Sequence, residues 1–529
     1  MKNSNLKVFL FIFSFLLYLN SLFGNFVFDD RKTVLANFDI TKLANIPKFF
    51  ISPYFQNKPQ SGIYRPLIMV TYAIDHLWFK TNSAFFFHLT NILLHSTNAV
   101  LVFMLIKKLS KDKKLAFFTA LLFASHPINT EAVSWISGRP ELLAFLFSLL
   151  SILNFLKNNW LKTNIFLLLA LFSKETAIVL IPLYIYLFFS SKKLKQSLNL
   201  NSVYCLLFTV YIYFSFRWLA LGKFIFSNDA TIVENPLKYA PFLPRIFTAL
   251  KIFTLYLVKF VFPLKLSADY SYNQIPILNS PFHTLTIFGF LFILAAIAWL
   301  IKKKTAIILR LSLFFLLFPY LLVSNLILPI GTIMGERLMY FPSLGFCLIS
   351  GFFFLKLYSF CHSRTPHLTG IWNLLTITII SLYFLRTFLR NLDWQNEFKL
   401  YTSMAKASPN SILARSNLGG MHIVNKDWAK AKKELLTANN VCECYPHAAN
   451  NLGLVYQHEE NLEKAEKWFK KAIEIDPNYQ LGYKNLGILY FNQAKFKEAK
   501  IQFKKILPGN ENNQEVIYWI NKINKKIIN

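Results

Sequence analysis

Carboxylates are scarce in this chain of 529 residues: 26 Asp and Glu stand against 57 Lys and Arg. An ion-coupled transporter holds acids near the middle of its spans, and no apolar run here carries such a set. Cysteine is scarcer still, and five in this length exclude a disulfide framework. Cys205 and Cys347 fall inside apolar runs as packing residues, and Cys442 and Cys444, one residue apart, are poorly placed to bridge each other. No Gly-rich loop follows a strand pattern, so no nucleotide-binding turn is visible.

What is abundant is apolar: 54% of residues are hydrophobic, 56 are phenylalanine, and only 16% are charged, against roughly 25% in soluble domains. These proportions describe a polytopic membrane protein. Its lysines gather between apolar runs, where orientation and anionic lipid head groups account for them, and no nucleic-acid motif accompanies them. Residues 1–23 hold Lys2, Lys7 and an apolar run without an A-x-A-like cleavage site, which reads as a first membrane helix rather than a signal peptide. Runs near 6–23, 85–106, 202–220, 284–301, 306–328, 338–356 and 371–389, with shorter ones at 115–126, 140–156, 164–174 and 176–191, predict about eleven crossings at roughly 17 to 25 residues each. Residues 245–263 (Arg245, Lys251, Lys259) and 64–83 (Arg65, Asp75, His76) read as interfacial or re-entrant helices.

The positive-inside rule then orients the chain. The N-terminus, Lys107 to Lys114, Lys157 to Lys162, Lys192 to Lys195, Lys302 to Lys304 and Lys356 to His367 share the cytoplasmic side. Outer loops 24–84, 126–139, 221–283 and 329–337 hold Asp29, Asp30, His126, Glu131, Asp229, Glu234, Asp269 and Glu336, and everything after residue 390 joins them. An acidic outer site above a lipid-accessible bundle suits an enzyme that takes one membrane-borne and one aqueous substrate.

Beyond Arg390 the character changes. Asn-Leu-Gly recurs at 417–419, 451–453 and 485–487, a 34-residue period kept by Ala431, Ala465 and Ala499. This is the tetratricopeptide pattern of paired antiparallel helices, the small residues marking close helix contacts. A connector at 391–410 would lead into three repeats at about 411–446, 447–480 and 481–514, closed by a cap helix at 512–526. The first repeat is weakest, with His422 where an aromatic is usual and Leu435 in place of Phe. The concave face of such a stack binds extended peptide; a spacer or oligomerisation surface is the other reading.

Short polar motifs interrupt the membrane half: "YRPL" (64–67), "ASHPINTEAVSWISGRPELLA" (124–144), "FSKETAI" (172–178), "FRWLALG" (216–222), "ENPL" (234–237), "ADYSY" (268–272) and "GERLMYFPSLGF" (335–346). Within a span, His88, Asn91, His95 and Asn98 share one helical face, better read as interhelical hydrogen-bond glue than as a metal site. Pro127 can start a helix on which Glu131, Trp135 and Arg139 follow at i+4, an internal Glu-Arg pair being the plain reading. Arg139-Pro140 then ends that helix and begins the next span. Lys174-Glu175 marks a hairpin tip near the site or a local ion pair. Arg337, Arg65 and Lys174 are candidates for gripping a lipid phosphate, with snorkelling or ion pairing as the alternative.

Together these motifs resemble the transmembrane and tetratricopeptide-repeat O-mannosyltransferases of the glycosyltransferase C superfamily. The resemblance runs from the acidic pair through "YRPL", "HPxxTEAVxxIxGRxELLA", "SKE", the "RW…G…NP" module, "GERLMYFPSLGF" and "RNLDWQNE" (390–397) into the repeats. The Lys-, Asn- and Phe-rich composition suggests a bacterial member with few repeats. The resemblance implies an all-α fold, a membrane glycosyltransferase at 1–390 ahead of an α-solenoid, and transfer of mannose from a polyprenyl-phosphate lipid to Ser or Thr hydroxyls of exported protein, with inversion, on the outer face. It implies an acid of the first outer loop as base: Asp30 first, with Asp29 beside it. Arg65, Lys174 and Arg337 would hold the donor phosphate, and Tyr64, His126, Glu131, Arg139, Glu175 and Glu336 would support the site. Members differ in using a divalent metal, and the sequence leaves a metal open. Acceptor protein would be met by the repeats. A non-catalytic envelope scaffold explains the repeats but not the acidic motifs, and a lipid-linked sugar transporter lacks the midplane charges it needs.

Overall fold

A computed structural model describes residues 2–55, 61–79, 83–190, 200–223, 229–302, 306–364, 369–507 and 513–528. The lysines at 192–195, Lys303, Lys304 and His367 lie outside them. Every regular element among the described residues is helical, and the chain divides into two compact units.

The first unit comprises 1–230, 237–268 and 277–400. Among its described residues six helical stretches are long and apolar enough to cross a membrane: Asn3–Phe23, Ala84–Ser110, Ile136–Phe155, Ser202–Leu221, Thr284–Ile301 and Glu336–Phe360. Trp160–Ser173, Glu175–Phe189 and Ile307–Val323 are shorter apolar helices. The helices that shape the site are α1 (Asn3–Leu17), α2 (Pro66–Phe79), α3 (Ala84–Ser110), α4 (Lys113–Ser125) and α5 (Arg139–Phe155). Lys111 ends α3 in the left-handed region (φ +59°), and the Asp112 carboxylate accepts from the amides of Lys114 (2.8 Å) and Leu115 (3.1 Å), capping α4. Two residues, Lys111 and Asp112, thus turn the chain back on itself. The helix Phe242–Val261 buries Ala249, Ile252, Phe253, Tyr256 and Phe260 and leaves Phe242, Leu243, Val258 and Val261 exposed, a one-sided pattern at helical spacing.

Polar side chains bind this bundle together, as the His88 to Asn98 face anticipates. The Tyr340 hydroxyl meets His95 Nδ1 at 2.7 Å and accepts from Asn98 Nδ2 at 3.1 Å. Asn91 Nδ2 donates to the Trp135 carbonyl (3.0 Å) and Asn98 Nδ2 to the Leu142 carbonyl (3.0 Å). Each bond satisfies a group that lipid could not.

The second unit comprises 401–529 with two excursions, 231–236 and 269–276. Its helices pair as Ile412–Val424 with Trp428–Val441, Pro446–His458 with Leu462–Ile475, and Gln480–Asn492 with Phe496–Lys504, and Gln514–Ile528 follows. The excursions pack on the first pair: the Ile412 amide donates to the Tyr272 carbonyl (2.8 Å), the Tyr272 amide to the Val233 carbonyl (2.9 Å), and Ser411 Oγ to Asp269 Oδ2 (2.5 Å). At the far end Trp519 stacks on Phe503 with centroids 5.7 Å apart, and Val516 and Ile523 are buried.

The repeated glycine is a spatial requirement. A Cβ on Gly453 would lie 2.4 Å from the Phe469 ring, one on Gly487 2.8 Å from Phe503, and one on Gly419 2.6 Å from Leu435, which fills the aromatic's place in the first repeat. Gly453→Ala is therefore expected to destabilise the second repeat by about 1–3 kcal/mol through overpacking, read as faster protease cleavage between 446 and 475 in the intact protein.

Cys442 and Cys444 are bonded to each other, contrary to the sequence expectation. The helix Trp428–Val441 ends at extended Cys442, and the chain then bends so that the two Cα atoms lie 5.2 Å apart, within disulfide range.

Candidate active site

The first span leads into the acidic pair through Gly24, which lies so close to α3 that a Cβ there would sit 2.9 Å from His88 Nε2. Phe28 takes a left-handed conformation (φ +55°) and turns the chain into a short helical coil over 31–35. The Asp29 carbonyl accepts from the Thr33 amide (2.9 Å) and Thr33 Oγ1 (3.1 Å), which fixes the coil from within.

The two aspartates have different surroundings. Asp30 is fully buried. Its Oδ1 accepts from the amide (2.9 Å) and hydroxyl (2.5 Å) of Ser137, and its Oδ2 accepts from the Val27 amide (3.1 Å). Three of roughly four carboxylate lone-pair positions are thus occupied by protein donors. Asp29 is half-buried, and its charge contributes to the field at Arg337 and at Tyr54. Asp30 is thus tied to the loop by three protein donors, while Asp29 is the more exposed acid of the pair. The partner responsible, Ser137, lies 107 residues away, where no sequence pattern links it to Asp30.

Burial raises the Asp30 carboxyl from the usual carboxylate range to about 7, against the lowering effect of the Ser137 and Val27 hydrogen bonds. A folded value above the unfolded one means that the native state holds the proton more tightly. Stability is greatest below the unfolded value of 3.8 and is lost as pH rises towards 7, by up to about 4 kcal/mol at 1.36 kcal/mol per unit. Comparing melting at pH 5 and pH 8, wild type should lose more stability than Asp30→Asn; equal losses would show that Asp30 is ionised throughout.

The expected phosphate-binding cations are each matched to an acid. Arg337 donates to Glu131, which also accepts the Arg337 amide at 2.9 Å, and its guanidinium lies 5.1 Å from the Trp135 ring centre. Lys174 pairs with Glu141, and Arg65 with Glu175 at 3.1 Å. The charge of Glu141 is felt at Lys174, Arg65 and Arg337 alike, so these cations share one electrostatic neighbourhood. The Arg337 and Arg65 side chains are 26% and 18% exposed and can meet a ligand, whereas Lys174, at 5%, lies beneath them in access.

Two expected local pairs do not form. Lys174 is extended (φ −160°, ψ 134°), so its side chain and that of Glu175 leave the backbone on opposite sides and find separate partners. The helix begun at Pro127 breaks at extended Trp135, so Glu131 and Arg139 never share a face. Arg139 instead opens α5, as its Pro140 neighbour implies, and pairs with Asp75 at 2.6 Å.

The remaining supporting residues are held by structural partners. The Tyr64 hydroxyl donates to the Phe50 carbonyl (2.7 Å), His126 Nε2 lies 2.9 Å from the Phe260 carbonyl, and Glu336 accepts from the Ser267 amide (2.7 Å) with Arg390 at 4.0 Å. Among the described residues no group of three or more His, Cys, Asp or Glu side chains is placed to hold a metal ion.

The segment 390–397 completes the loop's support. Asn391 Nδ2 donates to the Leu17 carbonyl (3.0 Å) and Asn20 Oδ1 (2.8 Å), and its Oδ1 accepts from Ser134 (3.0 Å). The Asn25 amide donates to the Gln395 carbonyl (2.8 Å), Trp394 stacks with Trp135 at 6.0 Å, and Glu397 binds Arg31 at 2.5 Å. The sequence marks this motif only by its polarity after an apolar helix. Beside the loop a cavity of about 860 Å³ opens among Leu22, Phe23, Phe26, Leu35 and Phe85.

Known proteins match both the membrane half of the chain and its repeats. Residues 448–479 and 468–501 match tetratricopeptide-repeat family models. The chain is 26% identical over 463 residues to Protein O-mannosyl-transferase TMTC3 of Homo sapiens, covering 80% of this chain and 50% of that protein. It is 27% identical over 412 residues to Protein O-mannosyl-transferase F38B6.6 of Caenorhabditis elegans (76% and 58%), and 28% over 498 residues to Protein O-mannosyl-transferase TMTC2 of Mus musculus (77% and 58%). The chain thus spans about half the length of the curated relatives it matches. The resemblance drawn from the motifs is borne out: homologues across most of the chain carry the name protein O-mannosyl-transferase, and the repeats are tetratricopeptide repeats.

Proposed function

We propose that this homologue of the protein O-mannosyl-transferases is itself a glycosyltransferase that moves mannose from a polyprenyl-phosphate donor to Ser or Thr hydroxyls of exported proteins. The observation that carries the reading is the half-buried Asp29 within the field of Arg337, in a loop pinned by Asp30 and Ser137. The acceptor hydroxyl attacks the anomeric carbon from the face opposite the phosphate, and the new C–O bond forms as the bond to the phosphate oxygen breaks. Asp29 takes the hydroxyl proton, and the electron pair of the broken bond leaves on the lipid phosphate. Configuration is inverted. Arg337 and Arg65, the exposed members of the cation group, stabilise the growing phosphate charge with Lys174 behind them, and holding both substrates supplies the proximity. No step requires a metal.

The cavity by the loop, of about 860 Å³, is lined by Asn25, Arg31 and Ser83 as well as by Leu22, Phe23, Phe26, Leu35 and Phe85, and this apolar part suits the first isoprene units of such a donor. The arrangement of lysine clusters supports about eleven crossings with a cytoplasmic N-terminus, which puts the acidic loops and repeats outside. A disulfide at Cys442 and Cys444 belongs in an oxidising compartment and agrees with that side for the repeats. The repeats then meet the acceptor protein.

The test is transfer of labelled mannose from polyprenyl-phosphate mannose to an acceptor protein in membranes that contain the wild-type chain. Proteome-wide mapping of O-linked hexose in a deletion strain and its parent gives the cellular counterpart. Loss of defined O-hexose sites with the deletion is the expected result. An unchanged glycoproteome with disrupted envelope complexes would instead establish the scaffold reading.

A further inference from the structure

Three helices that reach the acidic loop at one end meet again at the other. The start of α1, the end of α3 and the residues after α5 enclose a pocket of about 330 Å³. Lys7, Lys107, Lys108 and Lys157 line it, with the buried side chains of Phe103 and Leu153 at its base, and no carboxylate is among the described residues that line it. Along α3, Lys107 lies 19 residues from His88, against which the acidic loop packs at Gly24, about 28 Å at 1.5 Å per residue.

Orientation accounts for lysines in loops, but it does not ask that Lys7, Lys107 and Lys157, from α1, α3 and the turn after α5, line one cavity. Their mutual repulsion acts within a Debye length of about 8–10 Å and calls for a multivalent counter-ion. A pocket of this size holds about ten waters at ~30 Å³ each, enough for phosphate groups. Next to Lys7, α1 exposes Val8, Phe9 and Ile12, an apolar strip along which acyl chains could leave. We propose that this pocket binds the head group of an anionic phospholipid that carries two phosphates, with its chains lying against α1. The site is distinct from the donor site and does not rest on the glycosyltransferase reading.

Native mass spectrometry of the full-length protein in neutral detergent, with diphosphatidylglycerol or phosphatidylcholine added, tests the assignment. Wild type should retain one diphosphatidylglycerol. Combined Lys7→Gln, Lys107→Gln and Lys157→Gln should weaken retention by about tenfold or more, as expected when several phosphate-facing lysines are removed. Arg at the same three positions should preserve it, and Lys162→Gln with Lys356→Gln should leave it unchanged. Should the triple Gln variant fail to assemble, Lys107→Gln and Lys157→Gln alone decide, each expected to weaken retention measurably. Equal weakening in the Lys162/Lys356 control would reduce the effect to diffuse surface charge and overturn the proposal. So would equal retention of phosphatidylcholine, or full displacement of the lipid by inorganic pyrophosphate at equal concentration, which would identify a soluble anion as the ligand.

Discussion

Asp29→Asn should lower mannose transfer by at least about 100-fold, the range for loss of a general base being roughly 10² to 10⁴, while melting temperature and helicity stay at wild-type values. The argument rests on what each aspartate already does. Asp29 is half-buried and holds the coil through its backbone carbonyl, which the amide replacement leaves in place. Asp30 is fully buried, and the substitution Asp30→Asn disturbs the loop by turning an acceptor towards the Val27 amide into a donor. Its effect on transfer should be smaller, about tenfold for a positioning loss near 1.4 kcal/mol, and that of Ser137→Ala smaller still, because it removes the hydroxyl bond to Asp30 and keeps the amide one. Steady-state transfer measured against acceptor concentration separates the cases. A base mutation lowers kcat with KM little changed, whereas loosening the loop moves both. If Asp30→Asn is dead and Asp29→Asn active, the proton goes to Asp30 after all, and the buried carboxyl must become accessible when substrates bind.

The sequence made the elements legible and left the pairings hidden. Period alone locates the repeats, because Gly419, Gly453 and Gly487 answer to one steric demand that recurs every 34 residues. The glue on α3 was readable for a similar reason, since helical spacing fixes a face whatever it meets. Charge partners obey no such rule. Glu131 meets Arg337 across 206 residues and Lys174 meets Glu141 across 33, and each displaced a nearer partner that one extended residue turned away. The 34-residue signal likewise says nothing of 231–236 and 269–276, which belong to the repeat unit yet lie between membrane helices in sequence. Removal of 411–529 would therefore strip Val233 and Tyr272 of their cover, and a deletion meant to test acceptor binding also exposes apolar surface.

Arg139→Met should cost about 3–5 kcal/mol of stability, as breaking a buried ion pair by removing one partner does, against a total of about 5–15 kcal/mol for a typical protein. The guanidinium is wholly buried and fully engaged: Asp75 at 2.6 Å, Asn91 Oδ1 at 2.9 Å, the Phe87 carbonyl at 3.0 Å, Thr71 Oγ1 at 3.2 Å, and the Tyr72 ring at 4.6 Å. It joins α2, α3 and α5 at a single point. Methionine fills much of the volume but takes away the counter-charge of the buried Asp75 carboxylate, which keeps only the Thr90 hydroxyl at 2.8 Å. Arg139→Lys should fare only slightly better, since one ammonium cannot reproduce a planar fork shared among four acceptors. Adding Asp75→Asn to Arg139→Met removes the stranded charge and should recover about half of the loss, a coupling within the 0.5–3 kcal/mol seen for residues in contact. Thermal melting of the three variants in one detergent measures this cycle. The consequence for chemistry runs through the chain itself. Arg139 stands two residues after Ser137, with Gly138 between them packed so tightly that a Cβ would lie 2.5 Å from the Ala132 carbonyl. A shift at Arg139 thus moves the donor that pins Asp30, and the double variant should regain stability without regaining full transfer. Complete recovery of both would show that the Ser137 contact is set by α5 packing alone and that the Arg139 network serves only the fold.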